Sequence, residues 1–196
     1  MIQCDQCPTM AEFTSIETII QEHLKVAIDL PVVEIKNLAK NMAATLSEGG
    51  KLIFFGNGGS ATQACHWAEE FVGRFVKRRK SLPAIALGTN FANITGISND
   101  YGFEEIFSRE IEAIGEKKDL AIGISTSGNS QNVIKCLKKA KLLKIKSWIL
   151  TGNTKSLAKK IADNSLSINS KNTARIQEMH SLVIHIVLEQ IESEYT

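Results

Sequence analysis

Residues 51–70 constrain the fold more tightly than any other stretch of the chain. Leu52, Ile53, Phe54 and Phe55 form an apolar run bounded by glycines and too short for a buried helix, so a buried strand is predicted. Gly56, Gly58 and Gly59 follow, allowing a tight turn and close approach of backbone N–H groups to a ligand. Ser60 reads as the N-cap of a helix that carries His66 and Glu70 at i and i+4, hence on one face. Strand, glycine turn and helix N-terminus make a ready site for a phosphate or a sugar oxygen, with a His/Glu pair close by.

The glycine spacing alone is ambiguous. Gly56-x-Gly58-x-x-Ala61 also fits a dinucleotide fingerprint, but that motif wants an acidic residue at the end of the next strand. Here that strand ends in Gly88, Thr89 and Asn90, and no Gly-Lys-Ser/Thr follows the first loop to make a phosphate-binding P-loop. Nucleotide binding is therefore disfavoured.

Around this unit the pattern alternates. Helical spacing is expected over 11–30 and 32–46, a long arm ahead of the first strand at 51–55. Then come a helix over 60–76, a strand at 84–87, a helix over 91–97, a loop at 98–102 and a helix over 104–114. A strand at 119–124, a helix over 131–143, a strand at 146–150, a short helix over 156–162 and an edge strand at 166–168 follow. An amphipathic helix over 173–192 closes the chain. Such alternation means parallel pairing with right-handed crossovers: an α/β, doubly wound, five-stranded flavodoxin-like sandwich, with ligands beyond the carboxyl ends of the strands. Residues 11–196 read as one domain, and 1–10 as a disordered tail that includes Cys4 and Cys7. Cys65 and Cys136, in helical patterns, read as inert packing residues.

Composition excludes little beyond the extremes. A net charge of +2 over 196 residues gives no general case for nucleic acid or membrane surfaces. The cluster Arg74, Lys77, Arg78, Arg79 and Lys80 reads as a solvated helix end. No stretch is long and apolar enough to span a bilayer and no export signal opens the chain, so a cytoplasmic protein is expected.

A second polar loop leaves the 119–124 strand. Ser125, Thr126, Ser127 and Ser130 place four hydroxyls around Gly128 at the start of a helix. One cap needs one serine, so the surplus favours a phosphomonoester held by neutral donors. On the last helix, His185 interrupts an apolar run, where a polar ring needs a partner or a ligand.

Taken together, Gly56-Asn57-Gly58-Gly59-Ser60, His66-x-Ala68-Glu69-Glu70, Ser98-Asn99-Asp100, Ser125-Thr126-Ser127-Gly128-Asn129-Ser130 and Ala174-Arg175-Ile176-Gln177-Glu178-Met179-His180 resemble the sugar-isomerase (SIS) fold and, within it, the sedoheptulose-7-phosphate (phosphoheptose) isomerases. The resemblance implies that Asn57, Gly58 and Gly59 contact the sugar, that Asn99 and Asp100 close on it, and that Ser125, Thr126, Ser127 and Ser130 hold the phosphate. It implies a zinc ion on His66, Glu70, Gln177 and His185, with Glu70 and His185 as the acid/base pair and Glu70 and Gln177 also near the substrate. Some members have Asp where this chain has Ala174. The implied reaction converts sedoheptulose 7-phosphate to D-glycero-D-manno-heptose 7-phosphate, the first step toward ADP- or GDP-heptose for lipopolysaccharide core or capsule, in a homotetramer.

Ketose–aldose interconversion needs a base to move a proton between C1 and C2, a second group for the oxygen protons, and a positive charge for the developing oxyanion. Independently of any relative, Gln177 and His185 lie eight residues apart, about 12 Å along a straight helix. Two side chains that far apart reach one metal poorly, so completion of the site across a subunit interface is expected. A rival expectation is a non-catalytic relative that partners the bacterial replication initiator and lacks the acid/base pair. A sugar-phosphate-sensing regulator would want a DNA-binding module for which the chain has no room.

Overall fold

The computed structural model describes residues 14–152, 155–193 and 195. Five strands form one parallel sheet: β1 (Leu52–Gly56), β2 (Ala84–Ala86), β3 (Leu120–Ile124), β4 (Lys146–Gly152) and β5 (Asn164–Ile168). The spatial order is β2-β1-β3-β4-β5. β1 and β3 are hydrogen-bonded neighbours although β2 intervenes in sequence, so the chain reverses its winding direction between them. Central strands in such a sheet are apolar on both faces, and every residue of β1 and of β3 is buried.

The helices are α1 (Ile16–Ile28), α2 (Val32–Ser47), α3 (Gly59–Val72), α4 (Phe91–Tyr101), α5 (Ile106–Ile114), α6 (Gln131–Leu142), α7 (Leu157–Ile161) and α8 (Thr173–Glu192). Alternation along β1 divides the core. Leu52 and Phe54 join residues of α2, α3 and α8, such as Met42, Trp67 and Val183. Ile53 and Phe55 join Phe107, Ile111 and Leu137 of α5 and α6 on the other face. Asp119, 2% exposed, fixes the entry to the sheet by accepting from the Lys51 backbone N–H at 2.9 Å and from its ammonium at 2.6 Å.

Several expected boundaries move. α3 starts at Gly59 with Gly58 as N-cap, so Ser60 lies inside the first turn, buried rather than capping. It ends at Val72, not 76, because Gly73 turns the chain and the segment beyond is held by α8. α4 continues through 98–101, expected as loop, until Gly102 at φ +96° stops it. Asn99 and Asp100 thus sit in a helical last turn. Cys65 is exposed while Cys136 is buried in the core, so only the second is a packing residue. Arg79, expected in a solvated helix end, has a fully buried side chain paired with Glu192. The expected tail at 1–10, with Cys4 and Cys7, lies outside the described residues.

α1 buries no residue, a property it shares with α4, but it is the more apolar of the two on its open side. Ile16, Ile20, Leu24 and Ile28 remain 53–87% exposed. A polar chain fastens it to α8: Arg175 donates to the Ile19 carbonyl at 2.8 Å, and Glu178 receives both Arg175 and the His23 ring. No helix among the described residues is long and apolar enough to cross a membrane.

Candidate active site

The two polar loops leave the carboxyl ends of β1 and β3, on either side of the point where the winding reverses, which is where open α/β sheets take ligands. Their contents differ.

The second loop is an anion cradle. Ser125 accepts the Gly128 N–H on its hydroxyl at 3.1 Å, and the Ser125 and Ser130 hydroxyls meet at 3.2 Å. Ser130 is the N-cap of α6 yet makes no side-chain cap bond, so the helix start keeps open donors. Gly128 takes φ +64°, and a Cβ there would run into Ser156, the N-cap of α7. The Thr126 carbonyl accepts from Gly152 N–H at 3.0 Å, pinning the loop to β4. Thr126 is half-buried and Ser127 exposed. The Ser125 and Ser130 hydroxyls thus meet at the start of α6, and the Ser127 hydroxyl accepts the Asn129 N–H at 3.2 Å beside them.

The first loop reaches the second through a contact not foreseen from sequence. Asn57 pairs its side chain with Asn132, which is buried in the first turn of α6, instead of turning it outward. Gly58 and Gly59 stay exposed. A Cβ on Gly59 would stand 2.6 Å from Gln177 Nε2, so the glycine makes room for that amide against the loop. Gln63 supports the same place, donating to the Gln177 carbonyl at 2.7 Å and to Ser181 at 2.8 Å.

The third component lies further along α3. His66 Nε2 is 3.5 Å from Glu70 Oε1 and 3.4 Å from His185 Nε2, so α3 and α8 converge on one spot. One ligand atom from each of the three residues lies within 4.8 Å of the others. Nitrogen and oxygen ligands at about 2.0–2.1 Å from a tetrahedral zinc stand about 3.4 Å apart, which these separations fit. Glu70 is largely buried, at 14% side-chain exposure, and His66 about half exposed, leaving an approach from solvent. The Gln177 amide lies by Gly59, which is seven residues and about 10 Å along α3 from His66. Asn99 and Asp100 are exposed on α4 and bonded to each other at 2.8 Å.

Sequence reasoning missed Asn132, Phe75 and the Arg79–Glu192 pair. Phe75 stacks on the His185 ring with centroids 5.4 Å apart and planes at 28°. Only the excess of polar side chains around the serine loop hinted at Asn132.

A doubly wound sheet with a hydroxyl-rich anion cradle and a His/Glu/His cluster flanking its switch point defines an α/β protein built to hold a small phosphorylated ligand beside an acid/base or metal centre. Comparison with known proteins narrows the class. The SIS domain family matches residues 18–152. The chain is 45% identical to phosphoheptose isomerase 1 of Campylobacter jejuni over 89% of its length and 95% of that protein. It is likewise 45% identical to the phosphoheptose isomerase of Helicobacter pylori, over 89% of its length and 91% of the relative. A solved phosphoheptose isomerase from Neisseria gonorrhoeae superposes with a TM-score of 0.84 at 36% identity, covering 90% of this chain and 96% of that one. The chain belongs to the SIS-domain family and, within it, to the phosphoheptose isomerases.

Proposed function

We propose that the protein is an aldose–ketose isomerase converting sedoheptulose 7-phosphate to D-glycero-D-manno-heptose 7-phosphate through an enediol(ate). The observation that carries this reading is the convergence of Glu70 and His185 with His66, beside a loop suited to a phosphate. A protein that only bound the sugar phosphate would need the cradle and not the acid/base pair.

Glu70, largely buried at the end of a helix turn, suits the carbon proton passed between C1 and C2. His185, on the opposing helix, suits the oxygen protons and ring opening. Ser125, Thr126, Ser127 and Ser130 hold the phosphate; Asn57, Gly58 and Gly59 line the sugar, with Asn99 and Asp100 facing it from α4. His66, Glu70 and His185 would hold a zinc ion, with Gln177 the fourth ligand, and when bound the ion supplies positive charge to the developing oxyanion.

The reading includes a homotetramer, in the cytoplasm, feeding nucleotide-activated heptose synthesis for lipopolysaccharide core or capsule. The exposed apolar side of α1 and the separation of Gln177 from the His/Glu/His group support assembly, since a second copy can bring Gln177 to the site its own chain leaves distant. A stable monomer fully active at nanomolar concentration would end that part of the proposal.

The decisive experiment incubates the purified protein with sedoheptulose 7-phosphate, with zinc and after chelation, beside Glu70→Gln and His185→Gln. Aldose product from the parent and none from either variant is expected, and loss on chelation with recovery on zinc addition assigns the metal. A parent that binds the sugar phosphate without turnover overturns the isomerase reading.

A further inference from the structure

Beyond Val72 the chain does not leave the site. Residues 75–79 lie against the last turns of α8, and one buried carboxylate holds them. Glu192, 4% exposed and at the last turn of α8, accepts the Val76 N–H at 3.0 Å and the Lys77 N–H at 3.0 Å. The Arg79 guanidinium stands 3.4 Å from its other oxygen. The same Arg79 reaches back to α3, donating to the Glu70 carbonyl at 2.7 Å and the Phe71 carbonyl at 2.9 Å. Burial alone would raise the Glu192 pKa; the Lys77 and Val76 N–H groups and the Arg79 charge outweigh it and hold the carboxyl below the ordinary range. An ion pair this buried is a poor source of net stability compared with apolar packing, so its position calls for another account.

Position supplies one. Glu192 and His185 are seven residues apart, two turns along the same side of α8. The turn that Glu192 grips begins directly after Phe75, whose ring lies face-on to His185. The chain of contacts thus runs from Glu192 to the 76–77 backbone, to the Phe75 ring, to the His185 imidazole, and by Arg79 to the end of the turn that carries Glu70. A His ring half open to solvent has its rotamer freedom removed on one face, and its Nε2 is left aimed at His66 and Glu70.

We infer that Glu192, Arg79 and Phe75 are positioning residues for the reaction: the buried carboxylate fixes the 75–77 turn so that Phe75 sets the orientation of the His185 imidazole relative to Glu70. An amide cannot replace the carboxylate, because two backbone N–H groups and a guanidinium draw on both oxygens. The inference rests on the isomerase reading for its kinetic consequence, though not for its geometric one.

Two measurements test it on the intact assembled protein. In steady-state kinetics with sedoheptulose 7-phosphate, Phe75→Leu should lower kcat about 10- to 100-fold with KM within about twofold of the parent, as misorientation of a reacting group does, and Phe75→Tyr should restore it. Glu192→Gln should move kcat in the same direction. In the chelated protein carrying 13C-labelled histidine, the ring signals of His185 should show a Phe75 ring-current displacement that is absent in Phe75→Leu and largely lost in Glu192→Gln. A Phe75→Leu enzyme with parental kcat, or His185 signals that stay put in Glu192→Gln, overturns the inference. A parent without isomerase turnover removes the reaction but leaves the NMR arm to decide the geometry.

Discussion

The side-chain amides of Asn57 and Asn132 pair reciprocally, each Nδ2 standing 2.8 Å from the other residue's Oδ1. The pair joins the loop after β1 to the first turn of α6, and Asn132 also accepts the Val133 N–H on its carbonyl oxygen. Sugar-side and phosphate-side loops are thereby held at a fixed spacing across the switch point of the sheet. Asn132→Ala leaves the Asn57 amide without its partner in a part-buried place, and should destabilise the protein by about 1–3 kcal/mol in urea titration. Because the cost falls on the spacing of the cradle, KM for the sugar phosphate should rise more than kcat falls. Equal losses in both would place the pair in the chemistry instead.

Glu70→Gln and His185→Gln each remove one of the two proposed proton-transfer groups while keeping the volume near that of the parent. Turnover should fall by about 100- to 10,000-fold in each. Binding of the sugar phosphate, measured by calorimetry, should survive, because the loop proposed to hold the phosphate (Ser125, Thr126, Ser127 and Ser130) belongs to another element. The double variant should be no worse than about tenfold below the single ones if the two act as a unit. Loss of phosphate binding in either variant would show that the cluster shapes the pocket and does not only act within it.

What the sequence disclosed and what it hid follow from range. β1 and β3 were legible because a strand buried on both faces is a bare apolar run, and the loops after them because glycine and serine cluster there. His66 and Glu70 share a helix face by spacing alone, which placed two of the three cluster residues. Helix ends were less legible. Ser98, Asn99 and Asp100 have the composition of a turn, yet α4 runs on to Tyr101 because Gly102 supplies the positive φ that terminates it. The end of α3 depends on Glu192, 116 residues away from Val76, and the Asn57–Asn132 pair spans 75 residues. No local pattern encodes partners at that distance.

Two glycines of the site should answer differently to an added methyl. At Gly128 the backbone sits at φ +64° and the new Cβ would meet the Ser156 side chain, at 2.6 Å from its Cβ. Gly128→Ala should cost about 1–2 kcal/mol from the left-handed conformation alone and weaken phosphate binding with it. At Gly59 only the Gln177 amide stands in the way, the far end of a flexible side chain. Gly59→Ala should leave the urea midpoint near the parent's, since alanine suits a helical first turn, yet lower activity by displacing Gln177. Comparing melts with kinetics for the two variants separates a strained backbone from a displaced Gln177 side chain.

His180 contributes to the protein's response to acid. Its ring is 0% exposed, and neither nitrogen makes a well-formed hydrogen bond among the described residues, the Thr151 backbone offering only a weak one. Burial lowers its pKa from 6.5 to about 4, with the Thr151 backbone opposing the shift in part. A folded-state pKa below the unfolded value means that unfolding takes up a proton, so this contribution is whole above about pH 6.5 and is lost as pH falls toward about 4. At about 1.4 kcal/mol per pH unit, the window is worth about 3 kcal/mol. His180→Leu, close in volume and with nothing to protonate, should therefore match or exceed the parent at pH 7 and lose less stability between pH 6.5 and 4.5. Urea midpoints for both proteins across that range measure the difference, and two parallel curves would mean that the ring finds a proton partner when the protein meets acid.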